Sequence, residues 1–334
     1  MKMKKMTALF LACVMIMSLM VGCGGSGGES GDDGAKVYNI GVVQQLEHPA
    51  LDLATQGFID AVNEKFGEEN VNIDVQNGQN EQANCATINN NFVAAGVDLI
   101  LANATTALQT AAAATNQIPI LGTSITDYAT ALDIPVADWT GATGTNISGT
   151  SDLAPLDEQE NMLVELFPDA KKVGILYCSA EPNSAYQAKV FGEELDKDGI
   201  AWEAFTAADS NELQAVATTA VETCDVIYVP TDNTVAGATE VVNNVCLPAG
   251  VPIIAGEEGI CSGCGVASLS ISYYDIGWTA GEMAYDILVN GADVSTMDIK
   301  FAPQVTKKFN DTNCKALGVT VPEDYVVIEG TEAE

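Results

Sequence analysis

A chain of 334 residues exceeds what one hydrophobic core usually serves, so two domains are expected. Its 46 acidic side chains face 13 lysines and no arginine, a formal charge of −33 that phosphate backbones and anionic lipid would repel. Nucleic-acid binding is thereby excluded, and one histidine, His48, leaves no material for His-based triads or multi-histidine metal sites.

The first segment reads as an address. Lys2, Lys4 and Lys5 precede an apolar run over 6–21, shorter than the roughly 20 residues that span a bilayer, so residues 1–22 are expected to be an export signal. Cys23 follows Gly22 in a pattern that resembles the lipobox of bacterial lipoproteins, with Met20 where Leu is usual and Leu19 beside it. Cys23 is then the expected lipidated residue, with a plain secretory signal as the alternative. Residues 23–36, rich in Gly, Ser and acids, form a flexible tether reaching on the order of 20 Å. The expected location is the extracytoplasmic face of the cell membrane, with lipid as the only attachment.

From Tyr38 onward, short apolar runs alternate with helix-length amphipathic stretches, the pattern of β-α-β units and parallel sheets. Strands are predicted over 37–45, 71–76, 98–103 and 119–123, with helices over 49–66, 81–95 and 107–115. The order recurs with strands over 172–177, 201–205, 225–229 and 252–255, and helices over 185–198, 210–221 and 235–246. Ile40-Gly41-Val42 and Val173-Gly174-Ile175 stand 133 residues apart, as do Pro49 and Pro182, and Ile118-Pro119-Ile120 and Val251-Pro252-Ile253. Such register points to two similar lobes. The fold expected is α/β, two doubly wound parallel-sheet lobes joined by a multi-crossing hinge. One lobe takes 37–147 plus about 273–303, the other 148–272 plus about 304–334, with 146–152 as a hinge crossing.

In open α/β sheets ligands bind beyond the carboxyl ends of the strands. That rule nominates loops 44–50, 104–107, 124–128, 179–184, 230–235 and 257–259. In equivalent loops, Thr105-Thr106 of one lobe faces Asp232-Asn233 of the other: hydroxyls and helix-start N–H groups suit a carboxylate, and an anionic side chain suits an ammonium. A cleft with both preferences fits an α-amino acid. Without arginine, neutral donors must hold the carboxylate, and Asn183 and Ser184 are further donors. Each of these residues also makes sense as a helix cap or turn former. Glu47, Glu181 and Glu257 are loop acids, and His48 either caps the helix opened by Pro49 or faces ligand.

Seven cysteines remain beyond Cys13 and Cys23: Cys85, Cys178, Cys224, Cys246, Cys261, Cys264 and Cys314, an odd number. Cys261-Ser-Gly-Cys264 reads as a Gly-rich loop before a strand, either a loop-stabilising pair or two free thiols. No Walker motif, dinucleotide fingerprint or nucleophile elbow occurs, so no catalytic residue, cofactor or metal is expected.

The loops themselves resemble a known family. Ile40-Gly41-Val42-Val43-Gln44 followed by Glu47-His48-Pro49-Ala50-Leu51-Asp52 is similar to the start of ABC-transporter substrate-binding proteins of the tryptophan/tyrosine-type uptake family. Ala104-Thr105-Thr106-Ala107, Asn146-Ile147-Ser148-Gly149, Glu181-Pro182-Asn183-Ser184, Pro230-Thr231-Asp232-Asn233 and Tyr273-Tyr274-Asp275-Ile276-Gly277 match in the same order. The resemblance implies a type I periplasmic-binding-protein fold that closes on an amino acid, often aromatic, and delivers it to a permease driven by an ATPase subunit; a monomer is expected. Two positions depart from the family pattern: Thr105-Thr106 replaces Thr-Pro, and Thr126-Asp127-Tyr128 replaces Thr-Asp-Pro. Tyr128 would set a ring at the cleft. Carboxylate binding then falls to Thr105 and Thr106, ammonium binding to Asp232, and the side chain to the loops of Glu47, His48 and Tyr128. Gln45, Thr126, Asp127, Ser151, Asn183, Ser184, Thr231, Asn233, Glu181 and Glu257 complete the expected contacts. A same-fold binder of a nucleoside or sugar is the alternative, and a hydrolase the distant one.

Overall fold

The computed structural model describes residues 36–333; the export signal, Cys23 and all but the last residue of the expected tether lie outside them. The first lobe opens with β1 (Tyr38–Gln44), α1 (Pro49–Phe66), β2 (Val71–Asn77), α2 (Gln82–Ala95) and β3 (Leu99–Asn103). It continues through α3 (Thr105–Ala114), β4 (Ile120–Ile125), α4 (Tyr128–Ala131) and β5 (Ile147–Ser151). The chain then crosses into α5 (Leu156–Leu166), β6 (Lys172–Cys178), α6 (Pro182–Asp198), β7 (Ala201–Ala207), α7 (Leu213–Val221) and β8 (Val226–Val229). Next come α8 (Asn233–Ala236), α9 (Thr239–Ala249), β9 (Ile253–Ala255), α10 (Glu258–Cys264) and β10 (Ala267–Ser270). It returns to the first lobe for α11 (Tyr273–Leu288) and β11 (Lys300–Phe301), and ends in the second with β12 (Thr306–Phe309), α12 (Asp311–Leu317) and β13 (Val326–Val327).

Two sheets result, ordered β2-β1-β3-β4-β5-β11 and β7-β6-β8-β9-β10-β12-β13. All neighbours are parallel except β10 and β12. Strand order reverses between β1 and β3, and again between β6 and β8, so each sheet has a switch point where loops diverge and leave a crevice. Alternate residues point to opposite faces, and both faces are covered by helices. Ile40, Val42, Leu99 and Leu101 join the core under α1 and α11, while Val43, Ile100, Ala102 and Ile120 join the one under α2 and α3. In the second lobe, Phe191 stacks on Tyr228 at 3.7 Å between ring centroids.

Three features differ from the sequence reading. Residues 147–151 are not a crossing: β5 pairs with β4, so the first lobe's opening segment runs through Ser151 and the crossing starts at Asp152. The expected helix over 235–246 is two, α8 and α9, interrupted at Gly237 and Ala238. Cys261 and Cys264 belong to a helix rather than a loop, because Glu257 caps α10 by accepting the Gly259 and Ile260 N–H groups. All seven described cysteines are free and buried, and burial pushes the Cys261 and Cys264 thiols far up.

Close helix contact fixes where α11 sits. A Cβ at Gly57 of α1 would lie 2.1 Å from the Tyr274 carbonyl oxygen, and one at Gly277 of α11 would lie 2.0 Å from that of Ala54. Only glycines admit this approach, and it brings Tyr273 to the start of α11 beside the crossings.

Candidate functional site

The carboxyl ends of both sheets meet around a narrow cavity of about 10 Å3, room for one water molecule. His48, Leu51, Ser124, Thr126, Asp152 and Tyr273 line it from the first lobe and the crossing, and Asn183, Thr231, Asp232, Asn233, Ala236 and Glu257 from the second. The lobes are hydrogen-bonded across it. His48 Nε2 meets Asn233 Oδ1 at 3.1 Å, the Thr126 and Thr231 hydroxyls meet at 3.3 Å, and Gln187 Nε2 reaches Thr126 Oγ1 at 3.3 Å. This is a closed arrangement.

The second lobe's wall is braced from behind. Asp232 caps α8 through Val235 N–H at 2.8 Å, and accepts Cys178 N–H and the Ser184 hydroxyl, each at 2.7 Å. Burial and the nearby Glu181 charge raise its pKa. Glu181 accepts the backbone N–H and side chain of both Asn233 and Thr234. Because Asn233 gives its amide N–H to Glu181, its Oδ1 is the acceptor toward His48, so His48 carries its proton on Nε2. Burial lowers the His48 pKa, and the neutral ring is left with a bare Nδ1 lone pair.

The first lobe's wall is the unsatisfied one. Among the described residues six buried side-chain polar atoms lack a hydrogen-bond partner, and three of them line this cavity: His48 Nδ1, Ser124 Oγ and Asp152 Oδ1. Buried polar groups are normally paired, so their convergence marks a place where a ligand supplies partners. Ser124 holds a left-handed backbone, φ 56°, the kind of strain retained at functional sites. Asp152 accepts the Tyr273 hydroxyl at 2.9 Å on its other oxygen, and burial pushes its carboxyl up to about 6. Burial likewise pushes Glu257 up to about 7.

Seven expected residues therefore line the cavity: His48, Thr126, Asn183, Thr231, Asp232, Asn233 and Glu257. The others stand outside its lining. Thr105 and Thr106 open α3, where the Thr106 N–H goes to Gln45 Oε1 at 3.1 Å. Glu47 is exposed. Glu181 and Ser184 brace α8 and Asp232, Asp127 caps α4 through Thr130 N–H at 2.7 Å, and Ser151 Oγ donates to the Thr126 carbonyl at 3.1 Å. His48 makes no side-chain cap on α1. Tyr128 does not reach the cleft: its ring is buried in the first lobe, its hydroxyl donates to the Thr150 carbonyl at 3.1 Å, and a Cβ at Gly122 or Gly149 would strike that hydroxyl. Leu51, Ser124, Asp152, Ala236 and Tyr273 were not among the expected contacts. Asp152 escaped because it sits on a lobe crossing and not in a strand-to-helix loop; its only sequence signal is an acid at the end of the Gly149-Thr150-Ser151 run.

Comparison with known proteins agrees with this architecture. A family model described as ABC transporter substrate binding protein matches residues 39–332. A tyrosine-binding protein of Clostridioides difficile (strain R20291) is 34% identical over 324 residues, covering 95% of this chain and 93% of that protein. The structure of an ABC domain from Streptococcus pneumoniae in complex with L-Trp superposes with a TM-score of 0.83 at 31% identity, over 88% of this chain and 100% of that one. A ligand-free, open substrate binding protein with adhesive properties from Clostridium difficile is 36% identical over 87% and 99% of the two chains, yet its TM-score is 0.67. A poorer superposition at higher identity is what two similar lobes set at a different angle produce. Sheet order, crossings, cavity and a family match spanning nearly every described residue converge, and the chain belongs to the ABC transporter substrate binding protein family.

Proposed function

We propose that this protein captures an aromatic amino acid between its lobes, which part to widen the narrow cavity around the ligand, and hands it to its permease from the outer face of a membrane, held there by lipid on Cys23. The observation that carries the ligand class is the set of unpartnered atoms on the first lobe's wall. Asp152 Oδ1 and His48 Nδ1 are two acceptors, which an ammonium satisfies. Ser124 Oγ is a free hydroxyl, and the Thr126 and Thr231 hydroxyls, which accept from Gln187 and bond to each other, leave at most one proton for a carboxylate. In this reading the two roles move to other residues and no longer face each other from opposite lobes: Asp152 takes the role expected of Asp232, and the hydroxyls of Ser124 and of the Thr126–Thr231 pair take that of Thr105 and Thr106. Leu51, Ala236 and Tyr273 supply apolar wall for a side chain. The L-Trp complex and the tyrosine-binding relative support an aromatic one.

A melting-temperature panel of L-tryptophan, L-tyrosine, L-phenylalanine, adenosine and glucose tests this. A ligand at a hundred times its Kd stabilises the folded state by about 2.7 kcal/mol. A rise with an aromatic amino acid alone is expected, and a rise with adenosine or glucose instead would reverse the assignment. For the anchor, Cys23→Ser should move the protein from membranes to the medium. Membrane retention of that variant with its signal removed would refute lipidation.

A further inference from the structure

Outside the cavity, a second set of hydrogen bonds runs from lobe to lobe. It starts at the Thr106 N–H, which donates to Gln45 Oε1. Gln45 Nε2 donates to Asn80 Oδ1 at 2.9 Å, and Asn80 Nδ2 donates across the gap to Thr234 Oγ1 at 3.1 Å. Thr234 passes its own proton to Glu181 Oε1 at 2.7 Å. None of these five residues lines the cavity. The Asn80 end is rigidly built: the β2–α2 connection places Gln79 at φ 55° and Asn80 at φ 59°, and Asn80 N–H is tied to the Gln45 carbonyl at 2.8 Å. A left-handed pair of non-glycine residues costs conformational energy, and here it aims one amide at the facing lobe. Thr234 follows Thr231 and Asn233, the other two residues of this segment bonded to the first lobe, and Gln187 of α6 adds a further bond to Thr126.

We infer that Asn80 is a positioning residue for ligand retention, a latch that touches no ligand but holds the lobes shut and so sets the dissociation rate. A contact made only after closure adds nothing to the encounter step, and its loss appears in the off-rate. This rests on ligand capture in the cleft, whatever the ligand's class.

The test is stopped-flow binding with L-tryptophan, or with whichever compound of the panel above stabilises the unaltered chain should that be tyrosine, phenylalanine, adenosine or glucose. Asn80→Gly removes the amide and keeps the left-handed backbone. Asn80→Asp keeps shape and removes the donor. A half-buried neutral hydrogen bond predicts that both raise the off-rate roughly threefold to tenfold, with the on-rate unchanged within about twofold. The ligand-free melting temperature of Asn80→Asp, which still accepts the Gln45 Nε2 proton, should match that of the unaltered chain, since a structural role would lower it. Unaltered off-rates in both variants, or a loss confined to the on-rate, would overturn the latch. Stabilisation by adenosine or glucose would sink the amino-acid assignment alone and leave this measurement intact.

Discussion

Replacing Asp152 by asparagine should make the empty protein more stable and the carrier worse. In the folded chain burial raises the Asp152 carboxyl from 3.8 to about 6, which corresponds to about 3 kcal/mol held against its ionised form at pH 7.5. Asparagine is isosteric, its carbonyl can still accept the Tyr273 hydroxyl, and it carries no charge to desolvate. The ligand-free Tm should therefore rise at pH 7.5 by several degrees. Binding moves the other way. An ammonium that loses a buried carboxylate is left without a counter-charge, a loss of about 3 kcal/mol or more, so Kd should weaken roughly a hundredfold. The sign with pH is fixed as well. The folded state holds the Asp152 proton more tightly than the unfolded chain, so the cost is full above about 6 and fades as pH falls toward 4. Scanning calorimetry of the ligand-free protein and titration calorimetry at pH 7.5 read the two effects. A variant with lower ligand-free Tm, or with unchanged affinity, would mean that Asp152 is a hinge brace and not a ligand contact.

Three further outcomes follow from the same structure. Since Asp152 and Glu257 both have raised pKa values, at about 6 and about 7, these two groups should add roughly 3–4 kcal/mol of stability to the ligand-free chain between pH 7.5 and 5; the raised Asp232 acts in the same direction, His48, held neutral by burial, opposes it, and the surface carboxyls held low, such as Asp225 and Asp311, remain ionised throughout that window. A flat or falling Tm on acidification would contradict this. Gly149→Ala should abolish folding or lower Tm by more than 10 °C, roughly, because φ there is 142° and the new methyl would lie 2.0 Å from the Gly122 carbonyl oxygen and 2.4 Å from the Tyr128 hydroxyl; far-UV circular dichroism on heating decides it. The buried thiols should resist an aromatic disulfide reagent in the native state and react once the chain is unfolded in guanidinium, and fast labelling of two native thiols would instead reveal Cys261 and Cys264 as accessible.

How much of this was legible depended on whether the signal was local. Helix α1 could be bounded from sequence because Pro49 presets its first turn and Gly67, at φ 83°, leaves the helix. The two-lobe repeat was legible because apolar strands keep their register. Strand β5 was not, since Ile147-Ser-Gly-Thr-Ser has no apolar run. Its place depends on distant partners such as Ser148 Oγ to the Met297 carbonyl at 2.9 Å and Thr150 to Thr123 at 3.0 Å. Helix α10 hid behind two glycines and is held by the carboxylate of Glu257. In the site, the strand-to-helix rule found the second lobe's wall but mistook braces for contacts. Asp232 has the right charge, yet its oxygens are already occupied by Cys178, Ser184 and Val235. Counting which acceptors are spent requires coordinates.

The glycine-lubricated contact between α1 and α11 has a consequence for how the polypeptide matures. Its partners are some two hundred positions apart in the sequence, with almost the whole second lobe intervening. A nascent or secreted strand emerging from its amino end must keep the apolar flank of α1 waiting until residues 273–288 arrive. During that interval the unfinished half exposes oily surface, the moment at which chaperone capture or aggregation is decided. Neither half can be excised as an autonomous fragment by cutting at one place, so truncations at the crossings should yield insoluble pieces.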